Sequence, residues 1–331
     1  MNVSCVPNFN YFDTSEFLTV AMHSITVIVT PIHLLGLYCI LFKTPDQMEG
    51  VKWYLLNMHI SVMVFDYSVT VLSIPFVLAT KLAGFSLGIS KYLNLPFIIP
   101  AITTIYSFGL ISIAIVAIFE NQFRVNCSFS WMTKWGHMKP LFLPFHYIVH
   151  ACMVAGVLFF VPNQEAAIKN LFKNLPCLPH EIYEAPFFVL AENVNYHLIT
   201  AFLAIAFVTF EILFFLICLI FNCLKQLKEH KMSRRTFRLQ KQFLIAIIVQ
   251  SGVPLIFFIL PLFYFIFAFL KQYYNQGVIN CLIVNASLHG LVSTLAMLSL
   301  HKPYRQAMKD MFARSPQQRP EVSKISKAVL L

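Results

Sequence analysis

The sequence predicts an all-α membrane protein: a seven-transmembrane helix bundle with its amino terminus outside and a short amphipathic helix after the seventh span. Three observations predict it. Only 11% of the 331 residues are charged while 58% are hydrophobic, and the mean hydropathy is +0.72. A soluble domain of this size carries about a quarter charged residues and needs them to face water. Seven runs reach the length of about 20 mainly apolar residues that crossing a bilayer requires. The positive charge is also segregated into alternate loops.

The predicted spans are residues 18–42, 53–80, 97–119, 140–162, 198–222, 243–270 and 278–300. The first run follows a stretch without Lys or Arg and is too long for a signal-peptide core, so it is read as a retained helix. Loops 43–52, 120–139 and 223–242, with the tail 301–331, hold 19 of the 24 Lys and Arg. Cations collect on the cytoplasmic side, which directs the amino terminus outward and the carboxyl terminus inward. The chain thus divides into an outer tail (1–17), the seven-span domain (18–300) and a cytoplasmic tail (301–331).

The net charge of +10 belongs to this asymmetry rather than to a nucleic-acid partner. The eight cysteines are spread singly with no C-x-x-C pair, the pattern of neither a zinc site nor a dense disulfide framework. No internal repeat relates the two halves, which counts against a transporter built from duplicated bundles.

After the seventh span, Pro303 suits the first turn of a new helix, where its missing N–H is no loss. Tyr304, Ala307, Met308, Met311 and Phe312 then fall on one helical face, with Lys302, Arg305, Lys309 and Arg314 around it. This predicts an amphipathic helix over about 303–313, lying on the inner leaflet with its cations toward anionic lipid headgroups.

The stretches KWYLLNMHISVMVFDYSVTVLSIPF (52–76), AIFENQFRV (117–125) and LHKPYRQAM (300–308) carry a family resemblance. With them the chain resembles the nematode serpentine chemoreceptors of class H, the Srh family, over almost its whole length. The resemblance implies a G-protein-coupled chemosensory receptor in the plasma membrane of sensory neurons and their cilia. Such a receptor binds a small-molecule environmental cue or pheromone, activates a heterotrimeric G protein and needs no cofactor.

Several residues are candidates for the switch. Glu120 and Arg124, at the inner end of the third span, are four apart and can pair on one helical face. Rhodopsin-like receptors place an acid followed directly by Arg here, whereas Asn121 follows Glu120 in this chain. The pair is read either as a switch that breaks on activation or as an ordinary ion pair. Arg234, Arg235 and Arg238 in the third inner loop face either a G protein or lipid headgroups. Pro254 and Pro261 each remove a backbone hydrogen bond from the sixth span and invite a kink. Asp66 lies about 20 Å into the second span at 1.5 Å per residue, and an intramembrane acid is read as functional by default. It holds either a cation or a hydrogen bond to Asn285 or His289. Glu211 is as deep in the fifth span, and for it burial against a neighbouring helix is expected.

Enzyme chemistry finds no support. His146 and His150 are one turn apart, a spacing that suits a metal, but two imidazoles are not a site, so no metal is expected. There is no G-x-S-x-G, H-E-x-x-H or phosphate-cradling glycine loop, and the seventh span lacks the lysine of a retinal Schiff base. By architecture alone, the ligand would meet Thr104, Tyr106, Ser107, Thr200, Tyr264, Phe267, Asn280 and Asn285 among the outer halves of helices three, five, six and seven. Cys5 and Cys177 both face the oxidising side and can pair, with a free thiol or a pairing to Cys281 as alternatives. Asn2 begins an N-V-S sequon on the outer face. A ligand-gated channel or transporter is the alternative to a receptor, and a receptor-like protein that has lost coupling is a third reading.

Overall fold

The computed structural model describes residues 10–78, 82–127, 129–130, 132–173, 180–230, 233–271 and 273–313. Asn2, Cys5, Cys177 and Arg314 lie outside them. Seven helices are long and apolar enough to cross a membrane: Ser15–Phe42, Glu49–Ser73, Ile98–Asn126, Met132–Phe160, Asn195–Lys228, Arg234–Lys271 and Gln276–Leu300. They are spans one to seven below. An eighth helix, Lys302–Ala313, follows them.

The boundaries have local causes. Span one starts where Thr14 Oγ1 accepts the Phe17 N–H at 3.0 Å, an N-cap that satisfies an otherwise orphan donor. Span two is α-helical to Tyr67, continues as a π-helical stretch over Ser68–Ser73, and stops at Ile74, whose φ of 39° is left-handed. Pro75 forces this stop, because a proline ring disfavours helical backbone in the residue before it. The expected span 53–80 is therefore too long. Residues Pro75–Leu78 form strand β1, which pairs antiparallel with β2 (Ala83–Ser86) in the register Pro75↔Ser86 to Leu78↔Ala83. Strand β3 (Phe188–Val189) joins β2 through Ala83↔Val189 and Gly84↔Phe188. This small sheet folds over the end of the bundle opposite the eighth helix.

Spans three, five and six run further toward the basic end than the apolar runs predict. Asn126, Lys228 and Arg234 are all helical, so most of the expected inner loop 223–242 is helix. Span seven is in two pieces, Gln276–Ser287 and His289–Leu300, joined at Leu288. No proline stands there; Ser287 and Gly290 flank the break, and serine and glycine are common at helix kinks.

Spans two, three and seven are about half buried, whereas four, five and six bury about a fifth or less of their most apolar stretch. The core runs through Leu55, Met58, Phe65, Ala114, Ile118, Phe119, Phe123 and Phe215. Lipid tails are as apolar as these side chains, so helix association in a bilayer rests on packing and interhelical hydrogen bonds. The few buried polar groups thus weigh heavily. The eighth helix docks by Tyr304, fully buried against Cys39, Ile40, Met297 and Leu298, with its hydroxyl 2.8 Å from Thr44 Oγ1. Ala307 and Met308 share that face, while Met311 is more exposed. Pro303 lies in the first turn, as expected. The Phe312 side chain lies outside the described residues.

Candidate functional site

Asp66 sits at the centre of a buried network joining spans one, two and seven. His33 Nε2 is 2.8 Å from Asp66 Oδ2, and His289 Nδ1 is 3.2 Å from Oδ1. Thr294 Oγ1 lies 3.1 Å from His33 Nδ1, and His59 Nε2 is 3.0 Å from the His33 carbonyl. The partners assign the tautomers. His33 donates from Nε2 to the carboxylate and accepts from the Thr294 hydroxyl at Nδ1. His59 donates from Nε2 to the carbonyl. His289 donates from Nδ1 to the Ala286 carbonyl at 3.1 Å, which leaves Asp66 Oδ1 beside it without a hydrogen bond. The close approach requires Gly290, where a Cβ would overlap the Asp66 carboxylate.

Neither hydrogen bond expected for Asp66 is made: His289 stands beside Oδ1 but bonds the Ala286 carbonyl, and Asn285 points elsewhere. Asn285 Nδ2 instead donates to the Phe257 carbonyl at 3.1 Å. Four residues after Phe257 stands Pro261, which has no N–H to close the helical bond to that carbonyl. The span-seven amide therefore replaces the hydrogen bond that the proline removes from span six.

Glu211 also has a partner that the sequence reading did not name. Its carboxylate oxygens are 2.9 and 3.1 Å from His146 Nε2, while His146 Nδ1 donates to the Phe142 carbonyl at 2.8 Å. With Nδ1 committed as a donor, the pair is either imidazolium and carboxylate or imidazole and carboxylic acid, and carries no net charge in either form. It ties span four to span five. His150 faces elsewhere: it stacks on Tyr106 and lies 3.0 Å from the Tyr106 carbonyl. Among the described residues no group of three or more His, Cys, Asp or Glu could hold a metal.

The eight candidate ligand residues do not converge. Tyr106 is turned toward span four by His150, and Phe267 is 48% exposed on the bundle surface. Asn280, fully buried, donates to the Phe12 carbonyl at 2.9 Å and accepts from Gln276 Nε2 at 2.8 Å, so it clamps the amino-terminal segment. Ser107 bonds Ser68 at 3.1 Å and joins spans two and three. Thr200 bonds back to its own helix at the Tyr196 carbonyl, and Tyr264 reaches only the Asn275 carbonyl at 3.5 Å. Thr104 Oγ1 is buried without a partner. Architecture alone predicted an inward face for residues whose helical rotation turns them to neighbours or outward.

At the basic end, Glu120 and Arg124 do not pair. Glu120 accepts the Trp135 indole N–H at 3.0 Å, and Arg124 donates to Asn121 Oδ1 at 3.1 Å. Trp135, from span four, reaches the buried acid first, while Arg124 is exposed at the helix end. Uncharged side-chain amides join spans three, five and six. The Asn126 carbonyl accepts from Asn222 Nδ2 at 2.6 Å and Gln226 Nε2 at 3.2 Å, and Asn126 Oδ1 accepts from Gln240 Nε2 at 2.8 Å. Arg234, Arg235 and Arg238 are exposed where span six begins. With His230, Phe237 and Lys241 of the span five–six end, Arg234 and Arg238 line a cleft of about 480 Å³. Pro254 and Pro261 lie inside the continuous helix of span six. Lys302 and Arg305 are exposed on the eighth helix, Arg305 donating to the Ser299 carbonyl at 3.2 Å.

Residues 13–314 match the model of the serpentine-type seven-transmembrane GPCR chemoreceptor family Srh. The chain is also 26% identical over 322 residues to serpentine receptor class H-72 of Caenorhabditis elegans, covering 94% of this chain and 90% of that one. The family match spans the bundle and the eighth helix described above. The protein is a multi-pass membrane protein and belongs to the Srh family of serpentine seven-transmembrane chemoreceptors, a receptor rather than an enzyme family.

Proposed function

We propose that this chemoreceptor binds a small molecule and, in response, activates a heterotrimeric G protein at its basic end. In this reading the amino terminus is outside, the tail is cytoplasmic, and the receptor works in the plasma membrane of sensory neurons, including their cilia. The observation that carries it is the length of spans five and six. Their 34 and 38 residues reach about 51 and 57 Å at 1.5 Å per residue, against a hydrocarbon core of about 30 Å. The surplus extends past the membrane as a basic helix pair exposing Arg234, Arg235 and Arg238, a surface fit for an acidic soluble partner.

The Asn126 amides hold this pair against span three. A ligand that favours the state with those hydrogen bonds broken frees the end of span six to swing on Pro254 and Pro261, and the protein partner then stabilises the open state. Lys302 and Arg305 keep the eighth helix at anionic headgroups. A channel would need a row of polar groups through the bundle. Asp66 and Glu211 are instead each closed by histidines of adjacent helices, which favours the receptor.

The test is guanine-nucleotide exchange and membrane current recorded side by side, in cells expressing this chain, a G protein and a panel of volatile and water-soluble compounds. Exchange that requires both compound and receptor is the expected result. Current that persists with the G protein blocked would overturn the proposal in favour of a channel.

A further inference from the structure

We infer that a ligand site lies between spans six and seven, open sideways to the bilayer, and takes an amphiphile with an apolar body and a hydrogen-bond-donating head such as a hydroxyl. The inference rests on the small-molecule reading above and places the ligand away from the bundle interior. A cleft of about 510 Å³ separates Leu260 of span six from Val278, Cys281 and Leu282 of span seven. That volume is within the roughly 300–1,000 Å³ of small-molecule sites. Leu260 and Val278 are 57% and 38% exposed, and both stand on membrane-crossing helices, so the apolar side of the cleft opens toward lipid while its end at Asn10 and Asp13 lies beyond the spans.

Polar groups stand at both ends of this apolar slot. At the mouth is Asp13, which accepts the Asn10 N–H at 2.8 Å with one carboxylate oxygen. The turn that bears it is held in place by Asn280, through the Phe12 carbonyl. At the deep end is Asn285, ten residues beyond Asn275 at the mouth, or about 15 Å along the helix. One Nδ2 hydrogen goes to the Phe257 carbonyl, which leaves Oδ1 to accept and the second Nδ2 hydrogen to donate. An acceptor stands at each end, and the amide hydrogens beside them also allow the head to accept, so a hydroxyl, which does both, fits. Among the described residues no Lys or Arg lines the slot, and a carboxylate ligand would meet the Asp13 charge, so fatty acids are disfavoured against alcohols or glycerol esters.

The deep end also gives the site a route to span six. Asn285 both lines the cleft and replaces the bond that Pro261 lacks. A head group that engages Asn285 therefore competes with, or orients, the contact that holds span six to span seven. Differential engagement of this kind is what shifts a two-state equilibrium.

The experiment uses the full-length receptor in lipid nanodiscs with a diazirine-bearing dodecanol as the photoprobe, adducts being mapped by mass spectrometry. Adducts concentrated at Leu260 and residues 278–285, suppressed by excess 1-dodecanol or by a monoacylglycerol, are the expected result. Cys281→Trp or, from the other wall, Leu260→Trp should reduce labelling several-fold, while Cys152→Trp, exposed on span four, should leave it unchanged. Suppression by the monoacylglycerol alone assigns a resident lipid, and suppression by dodecanol alone assigns a free amphiphilic cue. Labelling spread over all exposed spans, resistant to competition or indifferent to both tryptophans, would overturn the site. Because labelling needs no G protein, that result would leave the receptor reading to its own exchange assay.

Discussion

Gly290→Ala is predicted to destabilise the bundle through a single methyl group. An alanine Cβ at this position overlaps the Asp66 carboxylate, which is buried between His33 and His289 and has no free direction to move. Overpacking of this kind costs about 1–3 kcal/mol, and disturbing a buried hydrogen bond to a charged group costs a further ~1.5–3 kcal/mol. Replacing a helical glycine by alanine returns about 0.5–1 kcal/mol. The net expectation is a loss of about 1.5–5.5 kcal/mol from these three terms. Gly252 in span six is the control, since a Cβ there meets nothing within 4 Å. Gly252→Ala should be neutral or gain about 0.5–1 kcal/mol. Thermal unfolding of the purified receptor in one detergent, followed by tryptophan fluorescence, compares the two. Equal stability of both variants would refute the close packing around Asp66.

Four further outcomes follow from the same contacts. Asn285→Leu leaves the Phe257 carbonyl unpaired and should cost about 1–3 kcal/mol, but less in a Pro261→Ala background, where the restored N–H serves that carbonyl; simple additivity in the four-variant cycle would exclude the replacement. His146→Ala leaves the Glu211 carboxyl unpaired and should cost about 3–5 kcal/mol for the ionised pair or about 1–3 kcal/mol for the neutral one, whereas His146→Leu with Glu211→Leu should recover most of it, as read by thermal unfolding. Gln240→Leu removes the span-six amide from Asn126 and should raise ligand-independent nucleotide exchange at equal surface expression; unchanged exchange would sink its role as a latch. His301, just beyond span seven, is held down to about 4 by burial, below an unfolded value near ~6.5. The unfolded chain takes that proton first, so the junction with the eighth helix loses stability as pH falls from about 6.5 toward 4, and His301→Phe should remove that part of the acid sensitivity.

Much of the bundle is legible in the sequence because lipid demands long uninterrupted apolar helices, and seven such runs followed by Pro303 and the Tyr304 face leave few alternatives. The end of span two is not legible from hydropathy, since Ile74 to Leu78 is equally apolar as helix or strand, and only Pro75 signals the change. Asp66 was recognisable as important by its depth, and His289 as a neighbour by its place in span seven. His33 was not, because meeting Asp66 depends on the rotation of span one, which a nearly uniform apolar sequence does not record. The same holds for Tyr106 and Phe267, whose outward or sideways directions a helix count cannot supply. Asn126 and Gln240 were hidden for a different reason. They are uncharged and 114 positions apart, while Glu120 and Arg124, charged and adjacent on one face, drew attention to a pair that Trp135 prevents.

In the proposed function, the basic end opens for a G protein when span six leaves span three. The most direct measurement is the distance between spin labels, introduced as noncanonical amino acids, at the exposed Val125 and Arg235, with and without purified nucleotide-free G protein. A second, longer distance population should appear with the G protein and be enlarged by Gln240→Leu. A single unchanged distance, with the G protein present and the latch removed, would contradict it.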